Sequence, residues 1–165
     1  MTGGWWEGKI RRFGRYFTGR VSTREWAQLA EWLTPGQLEL FETMHRADRR
    51  HGLDVVAALR SAGHDQPDLL LAGLLHDCGK GTRLRLWHRV GWSLAEHYGR
   101  AVERALIRLP GFRAAYATVR DHADRSAELA RAAGVSALTA ELIRNQAEPT
   151  DGALGRALLL ADQAN

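Results

Sequence analysis

Cysteine and lysine are nearly absent from this 165-residue chain. The single cysteine, Cys78, excludes an internal disulfide and with it a disulfide-stapled scaffold. A lone thiol fits a reducing compartment. Lysine occurs only as Lys9 and Lys80, so nearly all the basic charge is arginine, and the net charge is +4. That balance permits a phosphate-rich partner without demanding one. Long apolar runs are also missing. The longest, Leu69 to Leu75, is interrupted by Gly73 and falls far short of the roughly 20 residues a membrane helix needs. The first residues, Met-Thr-Gly-Gly-Trp-Trp-Glu, carry no apolar leader, so a cytoplasmic location is expected. Stretches of period-two alternation rich in Val, Ile or Thr are absent, as are internal repeats and low-complexity tracts.

What is present is a globular mixture, 45% apolar and 25% charged, patterned with helical period almost throughout. The four prolines all fall between candidate helices. Ser22-Thr23-Arg24-Glu25 and Thr34-Pro35-Gly36-Gln37 read as capping boxes that open the first two helices of the body. The second is expected to break near Met44 to Arg46. A third helix is expected from about Asp48 to Ala62, stopped at Gly63, and a fourth from Pro67. Leu69 to Leu75 is apolar on every side, which marks a central, buried helix. Further helices are expected over 82–98, 100–109, 112–132, 137–147 and 151–163. The expected fold is all-α, a single-domain bundle over residues 22–165. Ahead of it, residues 1–21 read as a basic amphipathic helix, with Trp6, Ile10, Phe13 and Phe17 on one stripe. Such a helix docks on its own domain, joins a dimer, or binds a membrane or nucleic acid; docking is the expectation adopted.

The chemistry concentrates in Leu74-Leu75-His76-Asp77-Cys78-Gly79-Lys80. An ionised Asp at the end of a buried helix needs a partner or a metal, because burying it alone is costly. Imidazole and carboxylate converge on one ion beyond the helix end if Gly79 stops the helix there, and the C-terminal dipole favours a cation. His51, Asp162 and His122 are further candidates, with His51 in the third helix and Asp162 closing the apolar run Leu158-Leu159-Leu160-Ala161. Two His and two Asp from three helices suit a divalent ion of hard or borderline type.

This order of residues resembles the HD-domain superfamily of metal-dependent phosphohydrolases. Its signature of a His, a His-Asp pair and a distant Asp matches His51, His76-Asp77 and Asp162, separated by 25 and 85 residues. The resemblance covers roughly four-fifths of the chain. "LLHDCGK" is similar to the branch whose motif reads His-Asp-aliphatic-Gly-Lys, and "DHADRSAELARAAGVS" to its segment with a further His, although Ser126 stands where Gly is usual. "LIRNQAEP" departs from the pattern: Asn145 and Gln146 stand where two-metal members carry adjacent histidines.

The resemblance implies one divalent ion (Mn, Fe, Co, Ni, Zn or Mg) on His51, His76, Asp77 and Asp162, with no second metal expected. It implies hydrolysis of a phosphomonoester or phosphodiester, a nucleotide being the candidate substrate. Asp77 would serve as ligand and proton acceptor, Lys80 would neutralise phosphate charge, and His122 would touch the phosphate or sit behind the ligands. Arg83 and Arg85 are candidate bidentate phosphate contacts, against the simpler reading of an exposed face. His45, His64, His88 and His97 fit no part of the signature and read as surface or structural. The rival expectation is a degenerate domain that binds a nucleotide or a protein without turnover. Membrane and nucleic-acid partners are not expected, and a homodimer is left open.

Overall fold

A computed structural model describes residues 19–81, 86–150 and 152–165. Most of the expected N-terminal helix, together with Arg83, Arg85 and the first residue of the last expected helix, lies outside the described residues. Among the described residues the chain forms ten α-helices and one short 3₁₀ turn, with no strand. We number them α1 (Thr23–Trp32), α2 (Pro35–Thr43), α3 (Arg46–Ser61), α4 (Pro67–Leu75), α5 (Leu86–Tyr98), α6 (Arg100–Leu106), α7 (Phe112–Arg120), α8 (His122–Ala132), α9 (Ala137–Arg144) and α10 (Ala153–Ala164). The 3₁₀ turn is Cys78–Lys80.

Both expected capping boxes form. Ser22 Oγ accepts from the Glu25 N–H and Thr34 Oγ1 from the Gln37 N–H, while each Glu25 and Gln37 side chain returns to the backbone N–H of its cap. These reciprocal bonds satisfy amides that a helix start leaves without partners.

The apolar run behaves as its composition requires. α4 packs against α3, α9 and α10, and Leu69, Leu70, Ala72, Gly73, Leu74 and Leu75 are all buried. Around it a single core draws Val55, Val56 and Leu59 from α3, Leu142 and Ile143 from α9, and Leu158 from α10. α5 and α7 pack apart from that core through an aromatic cluster of Trp87, His88, Trp92, Phe112 and Tyr116.

Three differences from the expected helix boundaries have a local reason. α3 begins at Arg46 rather than Asp48, because His45 caps it: its Nδ1 accepts the Ala47 N–H at 3.2 Å. α4 stops at Leu75, four residues before Gly79, the residue expected to stop it. His76 is its C-cap, and Asp77 leaves the helical region at φ −102°, ψ 4°. Gly79 is therefore not a helix stop. It is a point of close approach, where an added Cβ would lie 2.5 Å from the His122 carbonyl oxygen and 2.7 Å from the Ser126 nitrogen. Finally, the expected helix over 112–132 is two helices broken at Asp121 (φ −96°, ψ 6°), so His122 opens α8 instead of lying mid-helix. The remaining differences are shorter helix ends at Leu106 and Arg144.

Candidate metal centre

Three separate helices bring the site together. His51 lies on α3, His76-Asp77 follow the last turn of α4, and Asp162 lies in the last turns of α10. Gly52, next to His51, makes the convergence close: a Cβ there would fall 2.4 Å from the Leu74 carbonyl oxygen. No side chain fits between α3 and the end of α4 at that level. Gly52→Ala is therefore expected to push the two backbones apart. It should cost about 1–3 kcal/mol by overpacking, or about 2–4 °C in Tm per kcal/mol for a chain of this size. Metal affinity should fall with it. An unchanged thermal midpoint and unchanged affinity would show that the contact is not needed.

The donor atoms meet at His76. Its Nε2 stands 3.6 Å from Asp77 Oδ1 and 3.6 Å from Asp162 Oδ1, and His51 Nε2 lies 2.8 Å from the same Asp162 oxygen. His51, His76 and Asp77 each offer a ligand atom within 4.8 Å of the others. The His51 and His76 rings meet edge to face with centroids 5.2 Å apart. His76 and Asp77 are buried, whereas the Asp162 side chain is 35% exposed and forms the open side of the site. The last turn of α10 thus stays docked although Asp162 lies near the end of the chain.

Backbone carbonyls set the chemistry of the rings. His76 Nδ1–H donates to the Gly73 carbonyl at 2.9 Å, and His122 Nδ1–H donates to the Val119 carbonyl. A carbonyl only accepts, so in the neutral imidazoles the lone pair is left on Nε2, the atom that faces the site. His122 Nε2 lies 3.5 Å from Asp77 Oδ1. The break at Asp121 makes this orientation available, since it frees the first ring of α8 to turn back on Val119. The carbonyl of His76 is itself held by Gln146, whose Nε2 donates at 3.2 Å. Asn145 Nδ2 donates to Thr150 Oγ1 at 3.1 Å. Asn145 and Gln146 are thus engaged as amide donors, Gln146 within the frame that holds His76.

Burial works against charging His76, yet Asp77 and then Asp162 outweigh it and raise its pKa to about 9. Burial also opposes ionisation of Asp77, but Lys80, His76 and His122 hold its carboxyl well below the usual range. Asp162 is lowered too, by the His51 hydrogen bond and the nearby His76 ring, which together overcome its burial. Cys78 goes the other way. Burial pushes its thiol up to about 12, and it donates to the Ser126 carbonyl oxygen at 3.5 Å, the state of an inert packing residue.

The donor set fits a divalent ion on one further observation. Asp77 Oδ1 is buried and makes no hydrogen bond, whereas its other oxygen, Oδ2, accepts from Lys80 Nζ at 2.7 Å. Buried carboxylate oxygens are rarely left without a partner. The 3.6 Å spacing around His76 Nε2 is close to the roughly 3–3.5 Å between neighbouring ligands placed about 2.1 Å from one ion.

Two supports had no signal in local sequence pattern. Asp48, one turn before His51, is buried and takes a bidentate pair from Arg89 at 2.7 Å on each oxygen, tying α5 to α3. Gly52 is the other. Of the remaining histidines, His45 caps α3, His64 is half-buried in the loop after α3, His88 is buried against Trp87 and Phe112, and His97 is exposed, all outside the set of atoms that meet at His76. No protein-family model, curated protein or solved structure matches this chain. No helix among the described residues is long and apolar enough to cross a membrane.

Proposed function

We propose that the chain is a metal-dependent phosphohydrolase of the HD type, acting on a phosphomonoester or phosphodiester such as a nucleotide. The observation that carries this reading is the buried Asp77 Oδ1, which has no hydrogen bond yet faces the Nε2 atoms of His76 and His122. His51, His76, Asp77 and Asp162 would hold one divalent ion. When bound, that ion supplies Lewis acidity, polarising a phosphoryl oxygen and lowering the pKa of water from 15.7 toward roughly 7 in favourable cases.

The chain's own groups do the rest. The His76 ring is held by the Gly73 carbonyl and its backbone carbonyl by Gln146, so its Nε2 is pre-aimed and costs little to organise. His122 Nε2 lies 3.5 Å from Asp77 Oδ1 and faces the site, placed to pass a proton from the attacking water to the leaving oxygen. Asp162 forms the accessible edge through which a phosphate enters. Gln146 and Asn145 are committed to His76 and Thr150, which supports a single-ion site.

The test is reconstitution. Metal-stripped protein should take up about one Mn²⁺, Co²⁺ or Ni²⁺ per chain and then hydrolyse members of a panel of phosphomonoesters and phosphodiesters. Protein that takes up no metal would sink the reading. Protein that loads metal and binds nucleotide tightly without turnover would instead favour the non-catalytic binding module.

A further inference from the structure

Within the proposed metal centre, the Asp77 carboxylate is divided. Oδ2 is tied to the ammonium of Lys80 at 2.7 Å, and Oδ1 is left buried with no hydrogen bond. The tie is local and short: Lys80 lies three residues on, at the end of the 3₁₀ turn, and its side chain is 22% exposed against 3% for Asp77. The turn is pinned in place. The Gly79 N–H donates to the buried Ser126 Oγ at 2.8 Å, and Gly79 tolerates no side chain against α8. Lys80 therefore reaches Asp77 from a rigid base rather than from a free tail.

We propose that Lys80 is a positioning residue that restricts Asp77 to a single ligating oxygen, keeping the second position of a chelating carboxylate open for water and phosphate. This rests on the metal-centre reading above. A carboxylate binds a metal through one oxygen or through both, and the choice decides how many positions stay open for solvent. An ammonium on Oδ2 competes for that oxygen with a charge-assisted hydrogen bond, which is stronger than a neutral one. Among the described residues, no other hydrogen-bond donor holds Oδ2 away from an ion bound at Oδ1. This assignment differs from the direct phosphate contact expected of Lys80, because its ammonium is bonded to the Asp77 carboxylate.

The experiment loads wild-type protein, Lys80→Met and Lys80→Arg with Mn²⁺ and measures water-proton relaxation per bound ion, which scales with the number of exchanging waters. Inorganic phosphate is titrated in parallel. Lys80→Met should lose the equivalent of one exchanging water, and Lys80→Arg should recover the wild-type value. Equal relaxation in Lys80→Met and wild type, with only phosphate binding weakened, would overturn the proposal and return Lys80 to a phosphate contact. Failure of the wild type to bind Mn²⁺ would overturn the metal-centre reading and this inference with it. Should Lys80→Met not fold, Lys80→Gln, uncharged and shorter, replaces it with the same expected loss.

Discussion

Replacing His76 or Asp77 with alanine is expected to abolish phosphohydrolase activity in metal-loaded protein while leaving the helical fold intact. Each residue supplies an atom to the cluster, His76 held by the Gly73 carbonyl and Asp77 by the Lys80 ammonium. Even the residues that merely orient a ligand typically cost 10–100-fold in metal affinity when removed, so loss of a ligand itself should cost roughly 100-fold or more. The apolar core is built from other side chains, Leu69, Leu74, Leu75, Val55, Leu59 and Leu158 among them, so the helices should persist with a lower thermal midpoint. Calorimetric titration with Mn²⁺ measures the affinity, and circular dichroism with thermal melting checks the fold. Activity that persists in both variants would place the chemistry elsewhere. Loss of cooperative unfolding would show instead that the pair is a structural brace.

A second large effect follows from the charge on His76. Without metal its pKa stands at about 9 in the folded chain against 6.5 as its ordinary value. A raised folded-state pKa means that the protonated ring stabilises the fold. That contribution is fully present below about pH 6.5 and is lost as pH rises through about 9. At 1.36 kcal/mol per unit the contribution is about 3 kcal/mol, which corresponds to a fall of about 6–12 °C in Tm between those limits. Asp77 and Asp162 have the opposite sign. Their lowered pKa values stabilise the fold above the ordinary carboxylate range, and that stability is lost as pH falls through their depressed values. The metal-free protein should therefore be most stable in mildly acidic solution, between the two losses.

Metal binding at the proposed site would invert the alkaline side of this curve. A ligating imidazole must give up its Nε2 proton, so the ion competes with a proton on His76 below about pH 9. Apparent affinity should rise about tenfold per pH unit up to that point and then level off. The gain in Tm on adding Mn²⁺ should grow over the same interval. Calorimetry in buffers of different ionisation enthalpy would count the released proton at pH 7. Affinity independent of pH from 6 to 9 would mean that His76 is not a ligand.

Much of this arrangement was legible in residue order alone. An apolar run with no polar face can only sit at the centre of a helical bundle, and α4 does. Titratable residues placed directly after such a run must meet partners where the helix ends, as His76 and Asp77 do. The second capping box, Thr34 to Gln37, is a local code of four residues, and the structure follows it. The break at Asp121 was not legible. Residues 112–132 keep helical composition across it, and packing of the 3₁₀ turn against both α7 and α8 accompanies the interruption.

Periodicity and capping depend on neighbours within about one turn, so the sequence by itself determined the all-helical class and the central helix that leads into His76-Asp77. Tertiary structure alone decided which atoms face one another. His51 meets Asp162 across 111 residues, Gln146 reaches the His76 carbonyl across 70, and Arg89 reaches Asp48 across 41. It also decided that Lys80, one of only two lysines in the chain, turns to Asp77 Oδ2 and leaves Oδ1 bare. The physical reason is range. A hydrogen bond is specified within a few tenths of an ångström, whereas helical period specifies only a face, and the distance between faces is set by how the helices pack.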